Sequence, residues 1–323
     1  MVASDATIGR AHGKHRRVWR GTLLWALLIV ACGVASAAGI RTGTVRHLFD
    51  ITGGDDERLS LPSDVALGTG GRVYVVDSGH QRVAVFDRHG RFLFAIGGEG
   101  TAEGRFRNPV GIGVDGTGRV YVADTGNHRV QIFDGDGEFV RAFPIVSAGL
   151  AVRPIDVAVD ASGNHLYVTG NNNHKIMEFA SDGKVIRQWG GQGEEFGFFR
   201  YPASVVLSPG GSVYVVDVLN ARVQVFTGSG GKLVQVGSWG VLPGQFFRPK
   251  GVALDSRRRV YVSDSYLDVI QVFSDEARFL YVLGDSGVPR RFTSVAGIAV
   301  GADDRLYAAE TLANKVSVYE LER

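Results

Sequence analysis

The chain has 323 residues, 45 of them glycine, with 45% hydrophobic and 21% charged residues, one cysteine and a net charge of +2. A single cysteine excludes an intramolecular disulfide framework, and valines and aromatics recurring in short alternating runs exclude a disordered chain. Glycine at roughly twice its average share, without a three-residue period, excludes collagen and points to many tight turns.

The first element is a targeting segment. Arg10, Lys14, Arg16, Arg17 and Arg20 stand against one acid, Asp5, and are followed by the apolar run TLLWALLIVACGVASAA. A basic flank, an apolar core and small residues predict an export signal, so residues 1–39 are set apart from residues 40–323. Three fates stay open. Cleavage after Ala35-Ser36-Ala37 would release the rest, residues 21–39 could remain as a membrane anchor, or Ile29-Val30-Ala31-Cys32, which resembles a bacterial lipobox, would make Cys32 a lipid attachment point. Each predicts a periplasmic or extracellular protein, touching a membrane only through this segment. Five basic residues and one acid lie in 1–37, leaving 30 and 32 in the remainder, a net charge of −2. The excess of base therefore belongs to the targeting segment, and nucleic acid is not an expected partner.

From residue 44 onward one unit is written six times. RVYVVDSGHQRVAVF, RVYVADTGNHRVQIF, HLYVTGNNNHKIMEF, SVYVVDVLNARVQVF, RVYVSDSYLDVIQVF and RLYAAETLANKVSVY align without gaps, placing Tyr74, Tyr121, Tyr167, Tyr214, Tyr261 and Tyr307 at intervals of 46 or 47 residues. A short apolar phrase such as PSDVAL or PKGVAL precedes each, and a fourth such as RFLFAIGG follows. The period-two alternation and the turn pairs Asp136-Gly137, Asp182-Gly183 and Gly210-Gly211 predict four short strands per unit. Repetition at this spacing predicts an all-β, six-bladed β-propeller. The sixth unit ends without a fourth strand, whereas VRHLFDITGG near the start matches one. The N-terminal strand is therefore expected to close the last blade.

The pattern P-x-G-[IV]-x-[VL]-D followed by VYVADTGNHRVQIF is similar to NHL repeats over residues 44–323. The resemblance implies the propeller fold and leaves function open, since such propellers include amidating lyases, lactonase-like hydrolases, RNA-binding domains and kinase ectodomain modules. In the amidating lyases a histidine directly follows the first-strand proline. Here those residues are Ser63, Val110, Ile155, Ala203 and Lys250, so that activity is not implied. Lactonase-like propellers gather acidic and amide side chains around an axial cation. By that resemblance, Asp64 and Asp156 are the candidates for an axial calcium or zinc, although no cofactor is expected.

Asp77, Asp124, Asp217 and Asp264 end the second strands, and Arg82, Arg129, Lys175, Arg222 and Lys315 begin the third. Recurrence in most units predicts structural braces. His80, His128 and His174 occupy the same turn of successive blades and are not expected to converge on a metal. The loops entering the first strands carry Arg58, Arg107, Arg153, Arg200, Arg248 and Arg290-Arg291, which are expected to ring one mouth of the channel. With Asn172, Tyr201 and Tyr266 on the same face, the chain is read as a monomeric, non-catalytic module holding an anionic small molecule, glycan, peptide or protein. The alternative is a metal-dependent hydrolase or lyase acting at that mouth.

Overall fold

The computed structural model describes residues 39–54 and 57–321, and the expectations for export, cleavage and Cys32 fall outside them. Residues from Ile40 onward form one compact unit. Six four-stranded antiparallel blades surround a central channel. Their innermost strands are Pro62–Leu67, Pro109–Val114, Pro154–Val159, Pro202–Leu207, Pro249–Leu254 and Val295–Val300. Each contacts the innermost strands on both sides, so the ring is complete. Among the described residues no helix is long and apolar enough to cross a membrane.

Second strands such as Val73–Asp77 and third strands such as Arg82–Phe86 are buried almost throughout, because each lies between two strands of its blade and between two neighbouring blades. Buried residues of adjacent blades merge into continuous apolar layers, as where Val65, Val75 and Phe86 of blade 1 meet Tyr307, Val316 and Val318 of blade 6. Blade connections depend on glycine at one repeated position. Gly97 ends its outermost strand at φ +96°, and a Cβ there would meet the Phe106 ring at 2.2 Å. The buried Phe106 thus seats against the bare backbone that only glycine provides.

Closure follows the sequence expectation. Val45–Ile51 is the outermost strand of blade 6 and pairs antiparallel with Lys315–Leu321. A second latch lies near the axis, where the Thr311 hydroxyl of blade 6 donates to the Pro62 carbonyl of blade 1 at 2.9 Å, as Thr125 does to Pro154 at 2.6 Å. The repeat pattern did not announce a further pairing. Thr42–Gly43 runs parallel to Phe279–Asp285, which also pairs with Val288–Pro289, so blade 5 carries six strands.

The recurring acids and bases are braces. Arg82 Nε donates to Asp77 at 2.8 Å, Arg129 to Asp124 at 2.8 Å and Arg222 to Asp217 at 2.9 Å. The other oxygen of each aspartate accepts a backbone N–H from the loop entering the same blade: Ser60, Arg107 and Arg200. Each fully buried carboxylate thus ties hairpin to loop, satisfying groups that burial would otherwise leave without water.

Candidate functional site

The turns after the second strands and the loops entering the innermost strands share one face, because each innermost strand starts opposite the end of its second strand, as Pro62 does opposite Asp77. This face surrounds the channel mouth. Behind it lies a cavity of about 300 Å³ whose walls include Ser63, Asp64, Asp156, Ser204, Lys250 and Thr311. Below, the channel continues past residues such as Leu67, Val114, Val159, Leu207 and Val300. Asp64 and Asp156 border both halves.

The two aspartates, 92 positions apart in the chain, meet because blade 2 offers no side chain between them. Gly111 occupies the equivalent position, and a Cβ there would meet Asp156 Oδ1 at 2.4 Å. All four carboxyl oxygens accept backbone N–H groups. Asp64 takes Val65 at 2.9 Å and Ile112 at 3.1 Å, and Asp156 takes Val157 at 2.7 Å and Val205 at 2.8 Å. Burial is the largest influence on both and favours the neutral acid. It pushes Asp156 up to about 6, and together with the neighbouring Asp156 charge it raises Asp64 well above the ordinary carboxylate range.

The sign of the pH dependence follows. Between the unfolded value near 3.8 and about 6, the folded chain holds a proton that the unfolded chain has released. The stability contributed by Asp156 is therefore fully present below that window and is lost as pH rises through it. Calorimetric melts of the protein and of Asp156→Asn are expected to diverge in slope between pH 4 and 7, with the variant losing less on going up. Aspartates held low, such as Asp50 at about 2, titrate below the window and are common to both proteins.

The loop arginines do not share one register. They stand at different distances before the innermost strands: Arg153 and Arg248 one residue ahead, Arg107 and Arg200 two, and Arg58 four. None lines the cavity, whose only charged base is Lys250. Arg200 pairs with Glu194 at 2.8 Å, and Arg290 lies over Tyr319 and donates to its hydroxyl at 2.9 Å. Arg291 donates to the Leu267 carbonyl. The guanidinium groups of Arg58, Arg107, Arg153 and Arg248 are exposed and have no partner among the described residues. The Asn172 amide accepts from Arg153 N–H at 2.8 Å and donates to Ala151 O at 3.0 Å, which ties it into its own loop. The three histidines do not converge. His80 binds Asp77, His128 faces the Val152 carbonyl and His174 packs on Tyr201.

The two tyrosines are displayed. Tyr201 holds a left-handed φ of +60°, which lifts its ring edge-on to His174 at 4.8 Å. Tyr266, 62% exposed, stacks on Phe247 at 4.1 Å, and Phe247 in turn lies 6.3 Å from Trp239, itself 69% exposed. The sequence reading missed this cluster, although the signal is present. At the second position of the turn, blades 1 to 3 have Gly79, Gly126 and Asn172, whereas blades 4 to 6 have Leu219, Tyr266 and Leu312. Likewise Trp239 stands where the corresponding loops have Glu99 and Gln192. At the turn position the side chains of blades 1 to 3 are small or polar, and those of blades 4 to 6 are exposed and apolar.

This architecture defines a six-bladed β-propeller. Three of its blades, at residues 59–86, 106–133 and 199–226, match the NHL repeat model, so the propeller carries NHL repeats. A 70-residue stretch is 34% identical to the RING finger protein nhl-1 of Caenorhabditis elegans, covering 22% of this chain and 7% of that much longer protein. Similar solved structures include virginiamycin B lyase from Staphylococcus aureus (12% identity, TM-score 0.59, covering 88% of this chain and 96% of that one). A gluconolactonase from Xanthomonas campestris is also similar (15%, 0.63, 88% and 97%), as is a Bacteroides thetaiotaomicron protein of unknown function (16%, 0.67, 87% and 75%). At these identities the likeness shows the fold alone.

Proposed function

We propose that this propeller is a non-catalytic binding module, exported by its N-terminal segment, whose mouth face takes an acidic peptide segment of a partner protein. The observation that carries this reading is the exposed Trp239–Phe247–Tyr266 stack beside the unpaired guanidinium of Arg248, with Leu219 and Leu312 extending the apolar side. Aromatic residues and arginine are the groups enriched where protein surfaces bind one another, and clustered apolar exposure is otherwise unfavourable in water. NHL repeats generally serve as protein-interaction modules, which agrees with a protein partner.

Selection from a displayed random-peptide library tests the reading. Acidic peptides with apolar anchors are expected to be enriched. Trp239→Ala/Tyr266→Ala and Arg107→Ala/Arg153→Ala/Arg248→Ala are each expected to weaken their binding about 30-fold, with melting unchanged. Failure to enrich any peptide, or enrichment insensitive to both sets, would overturn it; selective capture of a sulfated glycan instead would replace peptide by glycan.

The metal-dependent alternative finds the fold of lyases and a lactonase in its favour. Its donor set fits poorly. No histidine or cysteine lines the cavity, and no group of three or more metal-binding side chains occurs among the described residues. The two carboxyls that do face the channel are already bound to backbone N–H groups, while calcium takes six to eight oxygens.

A further inference from the structure

The six residues that directly follow the start of the innermost strands are Ser63, Val110, Ile155, Ala203, Lys250 and Ala296, and all of them border the mouth cavity. Five are uncharged. The Lys250 ammonium has neither an ion pair nor a hydrogen bond among the described residues, although it is partly withdrawn from water and lies near Arg248, both of which lower its pKa. One residue deeper, the ring reads Asp64, Gly111, Asp156, Ser204, Gly251 and Gly297. The carboxyl pair is centred on blade 2, and in a six-membered ring blade 5, which carries Lys250, stands directly across the channel.

A carboxyl pair that burial and mutual repulsion favour in a partly protonated state, and the Lys250 ammonium, thus stand on opposite walls of one cavity, with no ion pair between Lys250 and either aspartate. Unmatched polar groups of this kind favour a guest that supplies the complement of each. The cavity matches the liquid volume of about ten waters, enough for a short chain with a charged group at each end. The cavity wall between the charged groups is made largely of small residues, among them Gly111, Ala203, Ala296 and Gly297. An ammonium suits the carboxyl pair better than a metal does, because it donates hydrogen bonds to the remaining lone pairs and leaves the backbone N–H bonds in place.

We propose that the channel mouth is a binding site for a small zwitterion of the ω-amino-acid class, with its ammonium on Asp64 and Asp156 and its carboxylate on Lys250. The site is separate from the aromatic face and stands or falls independently of the peptide reading.

The test uses ω-amino acids from glycine to 6-aminohexanoate as a ruler, titrated calorimetrically into the protein. n-Butylamine and butyrate serve as one-ended controls. One chain length is expected to bind about tenfold or more tightly than either control. Lys250→Met should reduce that zwitterion to the affinity of the amine, and Asp156→Asn should reduce it to that of the carboxylate. Trp239→Ala/Tyr266→Ala should leave it unchanged. Absence of binding by every member, equal binding of zwitterion and controls, or binding that survives both channel variants would overturn the proposal. Lys250 is exposed at the mouth, so its replacement tests the site without threatening the fold.

Discussion

Deleting residues 44–53 is expected to abolish the cooperative melting of the propeller. The segment contains the strand Val45–Ile51, whose loss would leave Lys315–Leu321 as an unpaired edge. It would also remove apolar groups from two inter-blade layers: Ile51, Leu48 and Phe49 from the layer between blades 6 and 1, and Val45 from that between blades 5 and 6. Burying each large apolar side chain stabilises by about 1.5–3 kcal/mol, and domains as a whole are stable by about 5–15 kcal/mol. Losing several together therefore reaches the scale of the whole. Asp50 adds a polar tie, accepting from Lys315 at 2.9 Å and Ser317 at 2.8 Å. The milder Ile51→Ala should keep a single transition and lose about 2–5 kcal/mol in denaturant titrations. A single, unshifted transition in the deletion would mean that the ring is closed by other contacts.

Asp217→Ala is expected to cost about 3–5 kcal/mol, the largest effect of any single braced position. Asp217 has no exposure, and one of its oxygens accepts from Arg222 at 2.9 Å, Asn220 at 2.8 Å and Gln224 at 2.9 Å. The other accepts the Arg200 N–H at 2.7 Å. Removing the carboxylate strands four donors, including the buried guanidinium of Arg222. The corresponding Arg82 and Arg129 are somewhat more exposed, so Asp77→Ala and Asp124→Ala should cost less. Asp217→Ala/Arg222→Met should recover part of the loss, because it removes the stranded charge along with its partner. Equal stability of the single and double variants would show that the loop hydrogen bond to Arg200 N–H, not the ion pair, carries the energy.

Both variants act on features legible in the amino-acid pattern. The blade number, the four strands of each blade and the closing role of the N-terminal strand follow from the spacing of Tyr74 to Tyr307 and from the orphan VRHLFDITGG. The Asp77–Arg82 type of brace is equally legible, because its partners are five residues apart on the two sides of one turn. The exposed Leu219, Tyr266 and Leu312 were readable as departures from their own repeats but became a surface only once their turns were seen on one face.

What the sequence determined by itself is everything that depends on local alternation, turn chemistry and repetition, since neighbouring residues satisfy those constraints among themselves. Only the tertiary structure decided which residues meet across the ring. It brought Asp64 to Asp156 over Gly111, set Lys250 on the opposite wall, and kept the loop arginines out of the cavity wall. These outcomes depend on the curvature that joins blades far apart in the chain and on one-residue differences in loop register, and pairwise packing of whole blades fixes both.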